Sequence, residues 1–423
     1  MSGDSAPENP DSENRNVVMV TVDSLRADHC GFMGYEEDTT PTLDRMAEDG
    51  LVFENAVTPG PSTLDAMPAI FTGQFPAERD IRSSSTAVSY EKMRRHMRAR
   101  RNVAERFSER GYRTVGFTAN PWTSRYTAFD DGFDRFEDFM DEDRSSGLIE
   151  QKVTEGDSLT ANAVRHTLNW VQEQNMFQSW TSFYDDIVER ARGDEPYFLW
   201  IFLVDVHMPY LPTEEYRTQS KYAMFPANLW LYLKNDAFPD FLRDRLLRAY
   251  DDAIRSTDAF LDRLRSDLAE DDPLFVVTAD HGEEFGEHTM YSHGDVYDEH
   301  VHVPLVVGNG PSGTVEEPFS LRSLPELLPR LATEDDVDLA EFTKPLVRTK
   351  NSERKALRGQ RYKYVSTEDG EEAYDLTVGE HDERPMAEFR ELGRRLVEQW
   401  EAEEREFRRV TSAAQRVAAD ESV

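Results

Sequence analysis

Acidic and imidazole side chains follow several apolar runs of the chain, at the point where each run ends. Asp23 follows VVMVTV, His207 follows FLVDV, and the pair Asp280 and His281 follows FVVTA. Two carboxylates and one imidazole can hold a divalent metal, and the imidazole favours Mn²⁺ or Zn²⁺ over Ca²⁺. A single Asp after a strand is usually a cap or a loop residue, so the adjacent pair is the more specific signal.

A fourth apolar run, FENAV, leads into the loop TPGPSTLDAMP, which carries hydroxyl groups. In open α/β sheets the ligand lies beyond the carboxyl ends of the strands. We therefore expect the four run ends to converge on one crevice, although they are far apart in sequence. One hydroxyl of the loop could complete the metal site.

The elements that must position these residues alternate between strand and helix. Short apolar, β-branched runs predict buried strands at 17–23, 53–58, 113–120, 196–207, 273–282 and 303–310. Helical signals lie between them, at 40–50, 102–111 and 241–268; Thr40 is the expected cap of the first. This alternation predicts an α/β fold with a mostly parallel central sheet sandwiched by helices.

The composition and the predicted secondary structure change along the chain. Residues 1–15 are polar and acidic and predict a disordered tail, and 16–345 form the main domain. Within it, 141–240 is expected to be mainly a helical insertion or cover. Residues 346–423 predict a small carboxyl-terminal α+β subdomain, with short antiparallel strands and a long charged helix at 385–418.

The chain is strongly acidic, with 83 Asp and Glu against 48 Lys and Arg and a net charge of −35 over 423 residues. Such a surface repels nucleic acid and anionic lipid, so neither is an expected partner. Only eight of the basic residues are lysine. Dispersed excess acid with little lysine is typical of a protein kept soluble in concentrated salt, which predicts a halophilic source.

The cysteine content and the amino-terminal sequence indicate the cellular compartment in which the protein is expected. The one cysteine, Cys30, excludes an internal disulfide and a zinc site of several thiolates. The first fifteen residues lack the basic and apolar regions of a signal peptide. No apolar run approaches the ~18 residues of a membrane span. We therefore expect a cytoplasmic protein.

Several motifs follow one another in the order and spacing of a known family: VTVDSLRADHCGFMGY, PTLDRMAEDGLVFENAVT, FTGQFP, TADHGEEFGEH, SHG and VHVPLVV. Over roughly residues 16 to 385 the chain resembles the sulfatase family of the alkaline phosphatase superfamily. The resemblance implies that a loop side chain attacks the sulfur or phosphorus of an ester. It also implies one divalent metal, held by Asp23, Thr63, Asp280 and His281, because the full ligand set for a second metal is missing.

The nucleophile position of that family falls on Thr63, where the chain departs from the sulfatase pattern. Sulfatases carry Cys or Ser there, oxidised to formylglycine, whereas the extra methyl of threonine gives at best a ketone. Threonine is similar to the phosphodiesterase and phosphoglycerol-transferase branches, in which a hydroxyl attacks phosphorus. Ser62 is the fallback nucleophile, and a loop hydroxyl that only caps a turn is the structural alternative for Thr63.

The resemblance also assigns the groups around the ester. His207, in VDVHMPY, and His293, in SHG, would face the leaving group and protonate it or hold the oxyanion. Arg26 and Arg79 could clamp the substrate anion, although surface ion pairs are an equal alternative for both. Asn120 stands where arylsulfatases carry a basic residue that grips sulfate.

Three functions follow from this set of residues. The first is a metal-dependent hydrolase of an anionic phosphate or sulfate ester, on a small molecule or a glycan, with a phosphodiester slightly favoured. The second is a transferase that passes a phosphoryl-type group to an alcohol. The third is a non-catalytic ligand-binding protein of this fold, favoured by the lost anion grips. The sequence leaves the natural substrate and the oligomeric state open.

Overall fold

The structure is a computed structural model of the chain. It describes residues 14–76, 82–83, 85–139, 170, 178–191, 193, 195–233, 238–288, 290–380 and 386–420. Nearly all of the tail predicted for 1–15 lies outside the described residues. So does much of the cover predicted for 141–240.

The apolar runs of the sequence form short strands, and six of the fourteen strands described are buried along their whole length. In chain order they are β1 (Val17–Val22), β2 (Leu51–Phe53), β3 (Ala56–Val57), β4 (Arg113–Thr118), β5 (Arg135–Glu137), β6 (Tyr197–Leu203), β7 (Leu274–Ala279), β8 (Leu305–Gly308), β9 (Gly313–Val315), β10 (Phe319–Ser320), β11 (Val347–Lys350), β12 (Lys355–Arg358), β13 (Tyr362–Ser366) and β14 (Glu371–Asp375).

Eight of these strands form the central sheet, in the order β5-β4-β6-β1-β7-β8-β2-β9. All neighbours pair in parallel except at β8, which runs antiparallel to both β7 and β2. The register aligns the last residues of three central strands, because Val22 faces both Leu203 and Ala279. The segments that follow β6, β1 and β7 therefore leave the same edge of the sheet side by side.

Helices flank this sheet and complete one apolar core around β1, β6 and β7. They are α1 (Pro41–Asp49), α2 (Thr63–Thr72), α3 (Thr86–Arg98), α4 (Val103–Ser108), α5 (Tyr184–Ala191), α6 (Lys221–Leu233), α7 (Asp240–Asp267), α8 (Asp298–Val301), α9 (Leu324–Thr333) and α10 (Ala387–Asp420). Within the described ranges, none of the helices combines the length and the apolar character needed to cross a bilayer.

The long helix α7 holds the segment that connects β1 to α1. The Asp258 carboxylate of α7 accepts hydrogen bonds from the backbone N–H groups of Thr42 and Leu43, at 2.9 and 3.0 Å. These are orphan donors in the first turn of α1, so Asp258 acts as its cap. Thr40, the expected cap, instead bonds Gly31 and Asp44.

A small carboxyl-terminal subdomain is built from the antiparallel sheet β11-β12-β13-β14 and the helix α10. Tyr364 of β13 packs with Val397 and Trp400 of α10. A Cβ at Gly393 would lie 2.3 Å from the Tyr364 ring, so the helix needs glycine there to approach the sheet. This close approach outweighs the ~1 kcal/mol that an interior glycine costs a helix.

The predicted fold class is confirmed: a mostly parallel sheet between helices, followed by a small α+β subdomain. One detail of the prediction is wrong. FENAVT does not form one strand, because a two-residue turn separates β2 from β3 and the two strands join different sheets. The strand predicted at 196–207 is β6, in the centre of the main sheet.

Buried charges join the subdomain to the main domain. The Lys363 ammonium, fully buried, contacts Asp298 of α8 and Glu380, both at 2.9 Å. Arg358 contacts the same Asp298 carboxylate at 2.9 Å. Although burial opposes ionisation, Arg358 and Lys363 hold the pKa of Asp298 well below its usual value. The cluster therefore links strands β12 and β13 of the subdomain to helix α8 of the main domain.

Replacing the buried ammonium tests this junction. Lys363→Met leaves the buried Glu380 carboxylate without its cation, whereas Asp298 keeps Arg358, so we expect the free energy of unfolding to fall by about 3–5 kcal/mol. Lys355→Met is the matched control, because Lys355 is partly exposed and pairs with Glu401; its loss should stay below about 1 kcal/mol. Equal losses in denaturant titrations of the two variants would contradict this account.

Candidate active site

Two neighbouring parallel strands deliver the acidic residues of the crevice. Asp23 follows β1 directly, and Asp280 follows β7 directly, one position beyond the paired residues Val22 and Ala279. Backbone hydrogen bonds continue past the strand ends, from Asp23 N to Leu203 O at 2.8 Å and from Asp280 N to Val22 O at 3.4 Å. The sheet thereby fixes the two carboxylates next to each other.

Asp23, Asp280 and His281 form a compact triad with no solvent exposure. Their ligand atoms all lie within 4.8 Å of one another. Nε2 of His281 is 3.4 Å from Asp23 Oδ1 and 3.5 Å from Asp280 Oδ2. Its Nδ1–H donates a hydrogen bond to the Gly282 carbonyl at 2.8 Å, which leaves the Nε2 lone pair facing the carboxylates.

The charges and pKa values of the triad favour the binding of a cation. Burial and the neighbouring Asp23 raise the pKa of Asp280 well above its usual value. Burial, and then His293, lower the pKa of His281 to about 3, so its imidazole is neutral and able to bind a metal. Asp280 Oδ2 is buried without a hydrogen-bond partner. Two carboxylates and a neutral imidazole fit one divalent ion, which would offset the desolvation of both acids.

Ser24 holds both carboxylates in place. Its backbone N–H donates to Asp280 Oδ1 at 3.3 Å, and its hydroxyl donates to Asp23 Oδ1 at 3.2 Å. Ser24 has φ +63°, in the left-handed region that residues with a Cβ rarely adopt. The family resemblance places a second aspartate here, and the serine removes one negative charge from the site.

Thr63 is the first residue of α2 and lies at the triad. Its Oγ1 is 3.5 Å from Nε2 of His281 and 3.5 Å from Nδ2 of Asn120. Asn120, which follows β4, also donates from Nδ2 to Asp23 Oδ2 at 2.9 Å. The structure thus brings Asp23, Thr63, Asn120, Asp280 and His281 together.

Two further histidines extend the site away from the triad. The His293 ring lies 4.3 Å from the His281 ring and 5.5 Å from the His207 ring, measured between centroids. Nδ1 of His207 is 2.7 Å from the Met208 carbonyl, which orients that ring. The three imidazoles therefore form a row that begins at the triad.

Glu283 is a site residue that the sequence reasoning missed. Its carboxylate is buried and lies 3.3 and 3.4 Å from Nδ1 of His293, and it accepts the Tyr210 hydroxyl at 3.2 Å. The next residue, Glu284, has a different role, because its Oε1 accepts backbone N–H groups of His288 and Met290. The adjacent acids after His281 were the available signal, and only packing separates their roles.

Of the two arginines predicted as possible anion grips, the structure describes Arg26, whose guanidinium is engaged elsewhere. The Arg26 guanidinium is buried in ion pairs with Asp28 and Glu287, at 2.7 and 2.9 Å, and donates to the Glu283 carbonyl. Its donors hold the loop after β7, which leaves a role as an anion clamp without support. Arg79 lies outside the described residues.

Comparisons with known proteins agree with this architecture. A family model described as Sulfatase matches residues 15–312. An arylsulfatase from Clostridium perfringens is 26% identical over 363 residues, which cover 74% of this chain and 74% of that protein. A phosphatidylethanolamine transferase from Escherichia coli is 25% identical over 289 residues, which cover 66% of this chain and 45% of that protein.

A solved structure shows the same fold. A 2-O GAG sulfatase superposes with a TM-score of 0.65 and 18% sequence identity, over 94% of this chain and 94% of that chain. At 18% sequence identity, this similarity supports only a shared fold. It covers both the main sheet and the carboxyl-terminal subdomain.

The stability of the variant Asp280→Asn, with and without metal, tests metal binding at the triad. Without divalent metal, we expect the variant to be at least as stable as the unchanged protein, because it removes a buried charge beside Asp23. With Mn²⁺ at about 100 times its Kd, the unchanged protein should gain about 2.7 kcal/mol, and the variant much less. Thermal unfolding after chelator dialysis, with and without added Mn²⁺, measures both effects.

Asp205→Asn is the matched control for that test. Burial raises the pKa of Asp205 to about 6, but its carboxylate bonds Ser179 and Trp180 instead of joining the triad. It should keep the full metal-induced shift. A full shift in Asp280→Asn would contradict the metal centre.

Proposed function

This chain belongs to the sulfatase family, and from that premise we propose that it is a metal-dependent ester hydrolase with Thr63 as its nucleophile. The proposed substrate is an anionic phosphate or sulfate ester, on a small molecule or a glycan, with a phosphodiester favoured. The observation that carries the proposal is the Thr63 hydroxyl, 3.5 Å from Nε2 of His281 at the buried triad.

The donor set supports one divalent ion. Asp23, Asp280 and His281 would hold it, with the Thr63 hydroxyl as a further ligand, and the imidazole favours Mn²⁺ or Zn²⁺ over Ca²⁺. When bound, such an ion supplies Lewis-acid chemistry, which stabilises negative charge on the ester oxygens and acidifies a hydroxyl.

The bond-making step belongs to Thr63. Its Oγ1 bonds to the phosphorus or sulfur and its proton passes to solvent water, while the bond from that atom to the alcohol oxygen breaks. Asn120 Nδ2, which bridges Thr63 and Asp23, orients the hydroxyl. Thr63 begins α2, so the positive end of the helix faces the negative charge of the ester.

The leaving alcohol needs a proton, and His207 and His293 are the proposed donors. Their Nδ1 atoms are oriented by the Met208 carbonyl and the Glu283 carboxylate. The position of both rings beside His281, in a row with centroid spacings of 4.3 and 5.5 Å, supports this assignment. Attack by water on the threonine ester would regenerate the enzyme.

Formylglycine has no part in this proposal, because oxidation of Thr63 cannot yield an aldehyde. The contacts of Ser62 favour Thr63 over its neighbour as nucleophile. Ser62 is the N-cap of α2, and its hydroxyl donates to Asp65 Oδ2 at 2.6 Å and accepts from Asp65 N at 3.4 Å. A hydroxyl engaged in a cap is a poor candidate for attack.

A transferase is the second candidate. The 25% identity to a phosphatidylethanolamine transferase supports it. The same residues would perform the first step, and an alcohol would replace water in the second. The two functions are separated by the product formed when a simple alcohol is added to the assay.

The nucleophile is tested by turnover of p-nitrophenyl sulfate, p-nitrophenyl phosphate and bis-p-nitrophenyl phosphate, with Mn²⁺ or Zn²⁺ in concentrated salt. Thr63→Ala should lower kcat/KM by about three orders of magnitude or more, because it removes the attacking oxygen. Thr63→Ser keeps that oxygen and should retain activity within about tenfold. The phosphodiester should be the best of the three substrates.

Ser62→Ala is the adjacent control, expected to lower stability by about 1 kcal/mol through loss of the cap while activity persists. Activity that survives Thr63→Ala but is lost in Ser62→Ala would move the nucleophile by one residue. No turnover of any ester with Mn²⁺, Zn²⁺ or Ca²⁺ would favour the non-catalytic binding function.

A further inference from the structure

The turn after β1 carries the two contacts that align the carboxylates of the triad, and it has an unfavourable backbone. Ser24 N–H holds Asp280 and Ser24 Oγ holds Asp23, as described above. With φ +63°, Ser24 needs its surroundings to keep it in the left-handed region. The orientation of the triad therefore depends on whatever holds this turn.

A single hydroxyl on α7 clamps both sides of that turn. Tyr250 Oη donates to the Ser24 carbonyl at 2.6 Å and accepts from the Arg26 backbone N–H at 3.0 Å. Both the donor and the acceptor capacity of the phenol are used. Because the two partners lie on either side of Leu25, the bonds fix the direction of the turn.

The Tyr250 ring is itself held rigidly. It has no solvent exposure and packs against His29, Tyr210 and Phe285, at centroid distances of 5.1, 5.4 and 4.8 Å. The next residue, Asp251, anchors α7 to the same segment by contacts with His29 at 3.0 Å and Tyr35 at 3.1 Å. The hydroxyl therefore has one position relative to the sheet.

We propose that Tyr250 is a positioning residue of the metal centre, which sets the spacing of the Asp23 and Asp280 carboxylates through Ser24. This inference rests on the proposed function, because it requires a divalent ion at the triad. Tyr250 touches neither that ion nor the substrate. It acts on metal affinity through the backbone of the turn, as partners behind metal ligands commonly do.

The test compares the Mn²⁺ Kd of the full-length protein with that of Tyr250→Phe by equilibrium dialysis in concentrated salt. Tyr250→Phe keeps the ring and removes the hydroxyl, and we expect Mn²⁺ to bind about 10–100-fold more weakly. Tyr184→Phe is the matched control. Its buried hydroxyl also bonds to α7, through Asp267 at 2.7 Å, and its Kd should stay within about twofold of the unchanged protein.

A second variant approaches the same contacts from the turn. Ser24→Gly removes the hydroxyl bond to Asp23 without altering α7, and we expect about tenfold weaker Mn²⁺ binding. Glycine adopts the left-handed region without help. We therefore expect Tyr250→Phe to weaken Mn²⁺ binding by a smaller factor in the Ser24→Gly background than in the unchanged protein. A general loosening of α7 would weaken binding by the same factor in both backgrounds.

The outcomes separate this inference from the proposed function. If the unchanged protein binds no Mn²⁺, Zn²⁺ or Ca²⁺, the metal-dependent function fails, and the inference fails with it. If the unchanged protein binds but Tyr250→Phe has the same Kd, the inference alone is overturned. Should Tyr250→Phe not fold, an unchanged Kd in Ser24→Gly overturns it.

Discussion

The structure depends on the burial of two carboxylates at the ends of adjacent parallel strands. Asp23 and Asp280 are fully buried side by side, and the pKa of Asp280 is raised accordingly. Like charges removed from water are strongly unfavourable unless a cation joins them. The neutral imidazole of His281 does not supply that charge. The fold thus maintains an arrangement that a bound divalent ion stabilises, and the residues around it serve to keep the arrangement in place.

Those surrounding contacts come from three directions. The sheet sets the separation of the carboxylates, α7 holds the Ser24 turn through Tyr250, and α2 places Thr63 at the triad. The row of His293 and His207 leads away from the triad, with Glu283 behind it. Under the proposed function, attack belongs to Thr63 and proton donation to this row of histidines.

The sequence allowed the positions of the triad to be predicted because strand ends in a parallel sheet converge by topology. Asp23, Asp280 and His281 needed no knowledge of packing. Contacts that depend on the packing of side chains were harder to predict from the sequence. For Arg26 the sequence left an anion grip and an ion pair as equal alternatives, and in the structure its guanidinium pairs with Asp28, two residues away. Glu283 was overlooked in a chain with 83 acidic residues, because only its contacts with His293 and Tyr210 in the folded protein distinguish it.

The central claim is that one cation joins the triad and the Thr63 hydroxyl. An anomalous-scattering map from crystals grown with Mn²⁺ tests it most directly. The account predicts a single strong peak in the crevice, within about 2.5 Å of Asp23, Asp280, His281 and Thr63 Oγ1. No peak there, or a peak that Thr63 does not contact, would contradict it.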